Sequence, residues 1–264
     1  NNIWTQVGSD IDGEASNDYS GQSVSLSNDG SVVAIGAYGN DGNGNDSGHV
    51  RIYENINNTW TQVGSDIDGE DSYDHSGASV SLSADGSVVA IGAPNANGNF
   101  SGHARIYKNV DNIWIQVGDD IDGEAAEDYS GWSISLSDDG SVVAIGATLN
   151  DGNGIDSGHV RIYQIDLKDP TISGPSGSGE DGSTTLSIEE NSTAVYAFSA
   201  DETVTWSITD GVDQDLFNVN SNTGLLSFKN APDYEIPTDS DLNNIYEVVV
   251  KATDSSGNIS SFSS

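Results

Sequence analysis

Carboxylates and amides at alternate positions, spaced by glycine, are the residues of this chain with the clearest chemical potential. The stretch DGNGND (Asp41 to Asp46) places Asp41, Asn43 and Asn45 two apart, as the opening ligands of an EF-hand-type calcium loop are placed. The same stretch recurs in altered form as NANGNF from Asn95 and as DGNGID from Asp151. The first alternative has no carboxylate, and Ile155 replaces Asn45 in the second. The glycine at the sixth loop position and the distal Glu are also lacking. A Gly/Asn turn is therefore the favoured reading, with Asp41, Asn43 and Asn45 kept as secondary metal candidates.

A second set of acids recurs without such loss. Asp10, Asp12 and Glu14 of GSDIDGE return as Asp66, Asp68, Glu70 and as Asp120, Asp122, Glu124, with a further Asp at 18, 74 and 128. Such acids suit calcium, but they suit turn capping and pairing with Arg51, Arg105 and Arg161 better. His49, His103 and His159 hold one position in three copies and read as structural. Ser is abundant, yet no G-x-S-x-G elbow or coherent Ser/His/Asp set is present, so the chain reads as non-catalytic.

These residues are set in a threefold internal repeat that starts at Trp4, Trp60 and Trp114, in steps of 56 and 54 residues. Each copy carries four strand signals: SVSLS, VVAIGA, HVRIY and a Trp segment such as TWTQVG. Asp-Gly at 29–30, 85–86 and 139–140 marks a short hairpin between the first two. In HVRIY, His49, Arg51 and Tyr53 point one way and Val50 and Ile52 the other. Several strands per repeat of this length imply an all-β fold of three four-stranded propeller-type blades, at about residues 1–56, 57–110 and 111–165. The repeat SGxSVSLSxDGSVVAIGA resembles the FG-GAP, integrin-α-type propeller repeat. The loop that often carries calcium in that family is here a two-residue turn, so that site is not carried over. Three copies are fewer than propellers use. A slice of a longer array is favoured over a dimer or a ring in which residues 3–7 complete the third blade.

After Tyr163 the repeat stops. Residues 166–180 read as a Pro/Gly/Ser linker, and 181–264 as a β-sandwich. EEN, FSADETVTWSIT, LFNVNSNTGLLSF, PDYE and YEVVVKATD together resemble a cadherin-like domain. The chain ends at SSFSS, where that family has its last strand and an acidic linker, so the module reads as truncated at its C terminus. The resemblance implies calcium, with Glu190, Asp201, Asp233 and Glu235 as matching ligands.

Composition narrows the function classes. Forty-two acids against seven Lys and Arg give a net charge of -35, which opposes nucleic acid and anionic membranes. No apolar run is long enough to span a bilayer, and no Cys is present. Both ends read as cut from something longer. The expectation is a calcium-stiffened extracellular or cell-surface adhesion module, as in large bacterial adhesins. Its partner would be a cell-surface protein, a glycan or neighbouring domains. A lectin-like propeller is the alternative, with Trp132 as the aromatic to test because the other copies have Gln22 and Ala78 there.

Overall fold

A computed structural model describes residues 3–175, 177–179, 181–183 and 185–263. Positions 1, 2, 176, 180, 184 and 264 lie outside the described residues, and with them part of the expected linker and the outer ends of the two expected domains. The fold is all-β and forms two compact units, Asn1–Leu167 and Lys168–Ser264.

The first unit holds three open antiparallel sheets, one per repeat. The first contains β1 (Ser23–Leu26), β2 (Val32–Ala37), β3 (His49–Ile56), β4 (Thr59–Gln62) and β5 (Ile67–Asp68). The second contains β6 (Ser79–Leu82), β7 (Val88–Ala93), β8 (His103–Val110), β9 (Ile113–Gln116) and β10 (Ile121–Asp122). The third has β11 (Ser130–Leu136), β12 (Val142–Ala147) and β13 (His159–Gln164). Sequence expects four strands per repeat; the sheets have five, five and three. The extra strand is the Ile-Asp of the following GSDIDGE or GDDIDGE loop, which pairs with β3 or β8. Residues 3–7 form no strand, so they do not complete the third sheet, and Trp4 is 94% exposed.

Local chemistry explains these strands. VVAIGA is rich in β-branched residues and apolar on both faces, and it lies between its two partners in every sheet. Each Asp-Gly turn places its glycine at positive φ, as at Gly30 (+74°). Asp29 Oδ1 then accepts from the Ser31 N–H, the Ser31 hydroxyl and the Ser27 hydroxyl.

Consecutive repeats interlock. Val50, Ile52, Val89 and Ile91 share one core, and Ala90, Ile106, Val143 and Ile145 share the next. Leu82 N–H donates to Ser25 Oγ and Leu136 N–H to Ser81 Oγ, both at 2.9 Å. Trp60 Nε1 donates to the Val7 carbonyl and Trp114 Nε1 to the Val63 carbonyl, also at 2.9 Å. Gly36 lies against the Gly77 carbonyl so closely that a Cβ would overlap it.

The second unit has three small sheets. One orders β15 (Gly177–Gly179), β14 (Ile172–Gly174) and β18 (Ser199–Ala200). Another orders β16 (Asp181–Ser183), β23 (Ile259–Ser263), β22 (Val249–Thr253) and β19 (Thr205–Asp210). The last orders β17 (Ala194–Ala197), β21 (Leu225–Phe228) and β20 (Phe217–Val219). Phe198, Trp206, Phe217, Leu226, Phe228, Val250 and Phe262 form its core. Ile259–Ser263 forms a strand on β22, because alternation drives Phe262 into that core.

The turn carboxylates carry a pH signature. The hydrogen bonds from Ser31 and Ser27 hold Asp29 at about 2, and those from Ser137 and Ser141 hold Asp139 at about 2. A depressed folded-state value stabilises the fold fully above the ordinary value of 3.8, and that contribution is lost as pH falls through about 2. Replacing both by Asn is expected to lower the melting temperature at pH 7. The gap to the unaltered protein should close as pH falls from 4 to 2 in a series of thermal melts.

Candidate functional site

The repeats bring their charged side chains together at the seams. Arg51 on β3 points down the same face as His49 and Tyr53, and its guanidinium lies over the Tyr53 ring at 5.6 Å. It donates to the Asp12 carbonyl at 2.7 Å and faces Glu14 Oε1 at 3.6 Å. Arg105 repeats this with Tyr107, the Asp68 carbonyl and Glu70 Oε1. Arg161 does so with Tyr163, the Asp122 carbonyl and Glu124 Oε1. The pairing of repeat acids with repeat arginines is thus the arrangement present.

His49 sits where two loops meet. Glu14 comes from the loop before its sheet, and Asp66 from the loop that contributes β5. His49 Nδ1 is 3.9 Å from Glu14 Oε2 and 3.8 Å from Asp66 Oδ2. His103 is placed alike, with Nδ1 3.5 Å from Asp120 Oδ2 and Glu70 in the same cluster. Both imidazoles are 1% exposed, and neither ring nitrogen of either has a hydrogen-bond partner among the described residues. An unsatisfied buried polar group costs about 1–3 kcal/mol. Burial lowers the pKa of both rings, against the pull of Asp66 on His49 and of Asp120 on His103. Glu70 is raised, by burial first and then, after the offset from Arg105, by Asp120. Sequence reading took the histidines as structural and missed this convergence. The signal was the joint recurrence of His with GSDIDGE at a fixed offset.

Other recurring acids cap turns. Asp18 Oδ2 accepts from the Ala15 N–H, Asp74 from the Asp71 N–H and Asp128 from the Ala125 N–H. In the DGNGND loop, Asp41 Oδ1 accepts from the Asp46 N–H at 2.8 Å. Asn43 donates to the carbonyls of Gly69 and Glu70 in the next repeat, and Asn45 donates to Asp46. These bonds make the stretch a turn docked on its neighbour.

In the second unit Glu190, Asp233 and Glu235 converge, each offering an oxygen within 4.8 Å of the others. All three are exposed, and Glu190 and Glu235 line a groove of about 1080 Å³. Glu190 Oε2 accepts from the Tyr234 N–H and Asp233 Oδ1 from the Glu235 N–H, so backbone bonds hold the cluster in place. Asp201 does not join them. It pairs with Lys168 at 2.6 Å and accepts from the Thr171 N–H, which together hold it at about 2.

Residues 9–53 and 121–163 match the FG-GAP repeat. The first unit therefore carries FG-GAP-type, propeller-like repeats. No curated protein matches the chain. Among solved structures it is similar to a putative 6-phosphogluconolactonase from Bacteroides uniformis, at 15% identity and a TM-score of 0.39 over 90% of this chain and 52% of that one. It is also similar to Kuenenia stuttgartiensis hydrazine synthase, at 10% and 0.36 over 90% and 53%. Mouse cadherin-23 EC22–24 is similar at 14% and 0.22 over 89% and 73%. The chain spans about half the length of the first two. Among the described residues, no helix is long and apolar enough to cross a membrane.

Buried Arg105 and the more exposed Arg161 give a graded test. Arg105→Met strands Glu70 beside Asp120 and leaves the Asp68 carbonyl without its donor. It should cost about 1–3 kcal/mol in urea denaturation, and Arg161→Met clearly less.

Proposed function

We propose that this chain is a non-catalytic adhesion and spacer segment of a large extracellular or cell-surface protein. In this reading FG-GAP-type repeats and a cadherin-like module present a calcium-stiffened surface to a cell-surface protein, a glycan or neighbouring domains. The observation that carries it is the seam. Trp and Ser side chains bond across to the adjoining repeat, so consecutive repeats of the first unit are coupled into a stack. A net charge of -35 favours divalent cations over anionic partners.

Calcium fits the second unit in part. Glu190, Asp233 and Glu235 supply hard carboxylate oxygens within reach of one ion, and calcium takes six to eight such ligands, including waters. Asp201 is assigned no part, since Lys168 neutralises it. Bound calcium would offset the repulsion among the three acids and brace the PDYE turn against the EEN segment.

Calcium added to metal-free protein should raise the melting temperature of the second unit. Saturation at about 100 times Kd stabilises by about 2.7 kcal/mol, and each kcal/mol is worth about 4–8 °C in a unit of this size. The variant E190Q/D233N/E235Q should show no shift. Superimposable melts with and without calcium would remove calcium from the reading.

One observation favours the lectin-like alternative. Trp132 is 57% exposed, meets Tyr129 edge-on at 6.3 Å, and Tyr129 stacks on Phe100 at 5.7 Å. Such an aromatic step suits the apolar face of a sugar ring. Glycan-array binding that disappears with Trp132→Ala is the expected sign, and an array with no signal removes it.

A further inference from the structure

We propose that the repeat seams are binding sites for a divalent transition metal of the zinc class, one ion at Glu14–His49–Asp66 and a second at Glu70–His103–Asp120. Each cluster joins one imidazole to two carboxylates, with ligand atoms within 4.8 Å of one another. This is a different chemistry from the all-carboxylate cluster of the second unit. A nitrogen donor is what zinc-class ions accept and what calcium, an oxygen-seeking ion, does not select.

Three observations go beyond the clustering of acids. First, His49 and His103 are almost wholly buried, and their Nδ1 atoms face the carboxylates without a hydrogen bond. Second, the separations of 3.5 to 3.9 Å are too long for hydrogen bonds. They are close to the roughly 3.4 Å that tetrahedral ligands keep from one another around an ion at about 2.1 Å. Third, the carboxylates are already oriented. Gln62 Nε2 donates to Asp66 Oδ1 at 2.6 Å, which leaves Oδ2 for His49. Gln116 does the same for Asp120 Oδ1 at 2.7 Å. Arg51 occupies Glu14 Oε1 and leaves Oε2 on the histidine side. Outer hydrogen bonds of this type commonly fix metal-ligating side chains.

Glu14 and Asp66 are partly exposed, so an ion can enter from solvent and keep a water as its fourth ligand. The ion would tie the GSDIDGE loop of one repeat to the corresponding loop of the next, across a buried histidine.

The third copy is a built-in control. His159 lies 3.8 Å from Glu124, but it is 24% exposed, and no third metal-ligating side chain joins the pair among the described residues. The chain should therefore bind two ions and not three.

Metal-free full chain titrated with Zn²⁺ tests this, read by calorimetry and native mass spectrometry. Two equivalents are expected. His49→Ala and His103→Ala should each remove one equivalent, the double variant both, and His159→Ala none. E190Q/D233N/E235Q should keep both, which separates this proposal from the calcium reading. Because a buried-histidine variant can unfold, histidine ¹⁵N spectra of the unaltered protein give a second readout. The Nδ1 signals of His49 and His103 should move on Zn²⁺ addition and that of His159 should not. Zn²⁺ uptake unchanged by the double variant, stationary Nδ1 signals, or no uptake at all would overturn it.

Discussion

Each repeat of the first unit can bury its apolar strands only if the next repeat covers them. Val50 and Ile52 on β3 are fully buried, while Val160 and Ile162, the same positions on β13, are 65% and 71% exposed. The residue types and the strand are the same; the neighbour differs. At about 25 cal/mol per Å² of apolar surface, this covering is the main stabilising term for any one repeat. The glycine pair Gly36 and Gly77 lets the backbones approach, and the serine and indole bonds set the register of the stack.

The polar side of the seam obeys the same constraint. Burying His49, Arg51, His103 and Arg105 between apolar layers requires partners, and the partners come from the loops at the ends of adjoining sheets. Tyr53 and Tyr107 cover the guanidinium faces, and the backbone carbonyls of Asp12 and Asp68 accept hydrogen bonds from them. The terminal guanidinium nitrogens find partners, whereas Arg51 Nε, Arg105 Nε and both nitrogens of each buried imidazole have none among the described residues. That imbalance makes the seam a place for a ligand as well as a joint.

A chain of such negative charge holds together because many acids are spent on its own backbone. Asp18, Asp74 and Asp128 cap loops of the repeats. In the second unit buried Asp213 accepts from the Ser240 and Glu247 N–H groups, Asp239 from Asn243 and Asn244, and Asp254 from Ser256 and Asn258. Each carboxylate exchanges water for peptide dipoles, which limits the cost of placing it inside.

The repeat, its strands, the Asp-Gly hairpins and the shared face of His49, Arg51 and Tyr53 were legible in the sequence, because alternation and turn chemistry are local. Motif resemblance put Glu190, Asp233 and Glu235 together with Asp201, and the fold brings only the first three within reach of one another. The Ile-Asp strands were not legible, since two residues become a strand only when β3 or β8 lies alongside. Nor was the fate of Asp201, which depends on Lys168 arriving from over thirty residues away. The meeting of Glu14, His49 and Asp66 spans more than fifty residues and exists only once two loops close on one strand. Sequence by itself determined which segments are strands and which side chains share a face. Tertiary structure alone decided which of them are covered, paired or left with an unsatisfied nitrogen, because burial and pairing belong to the contacts between repeats.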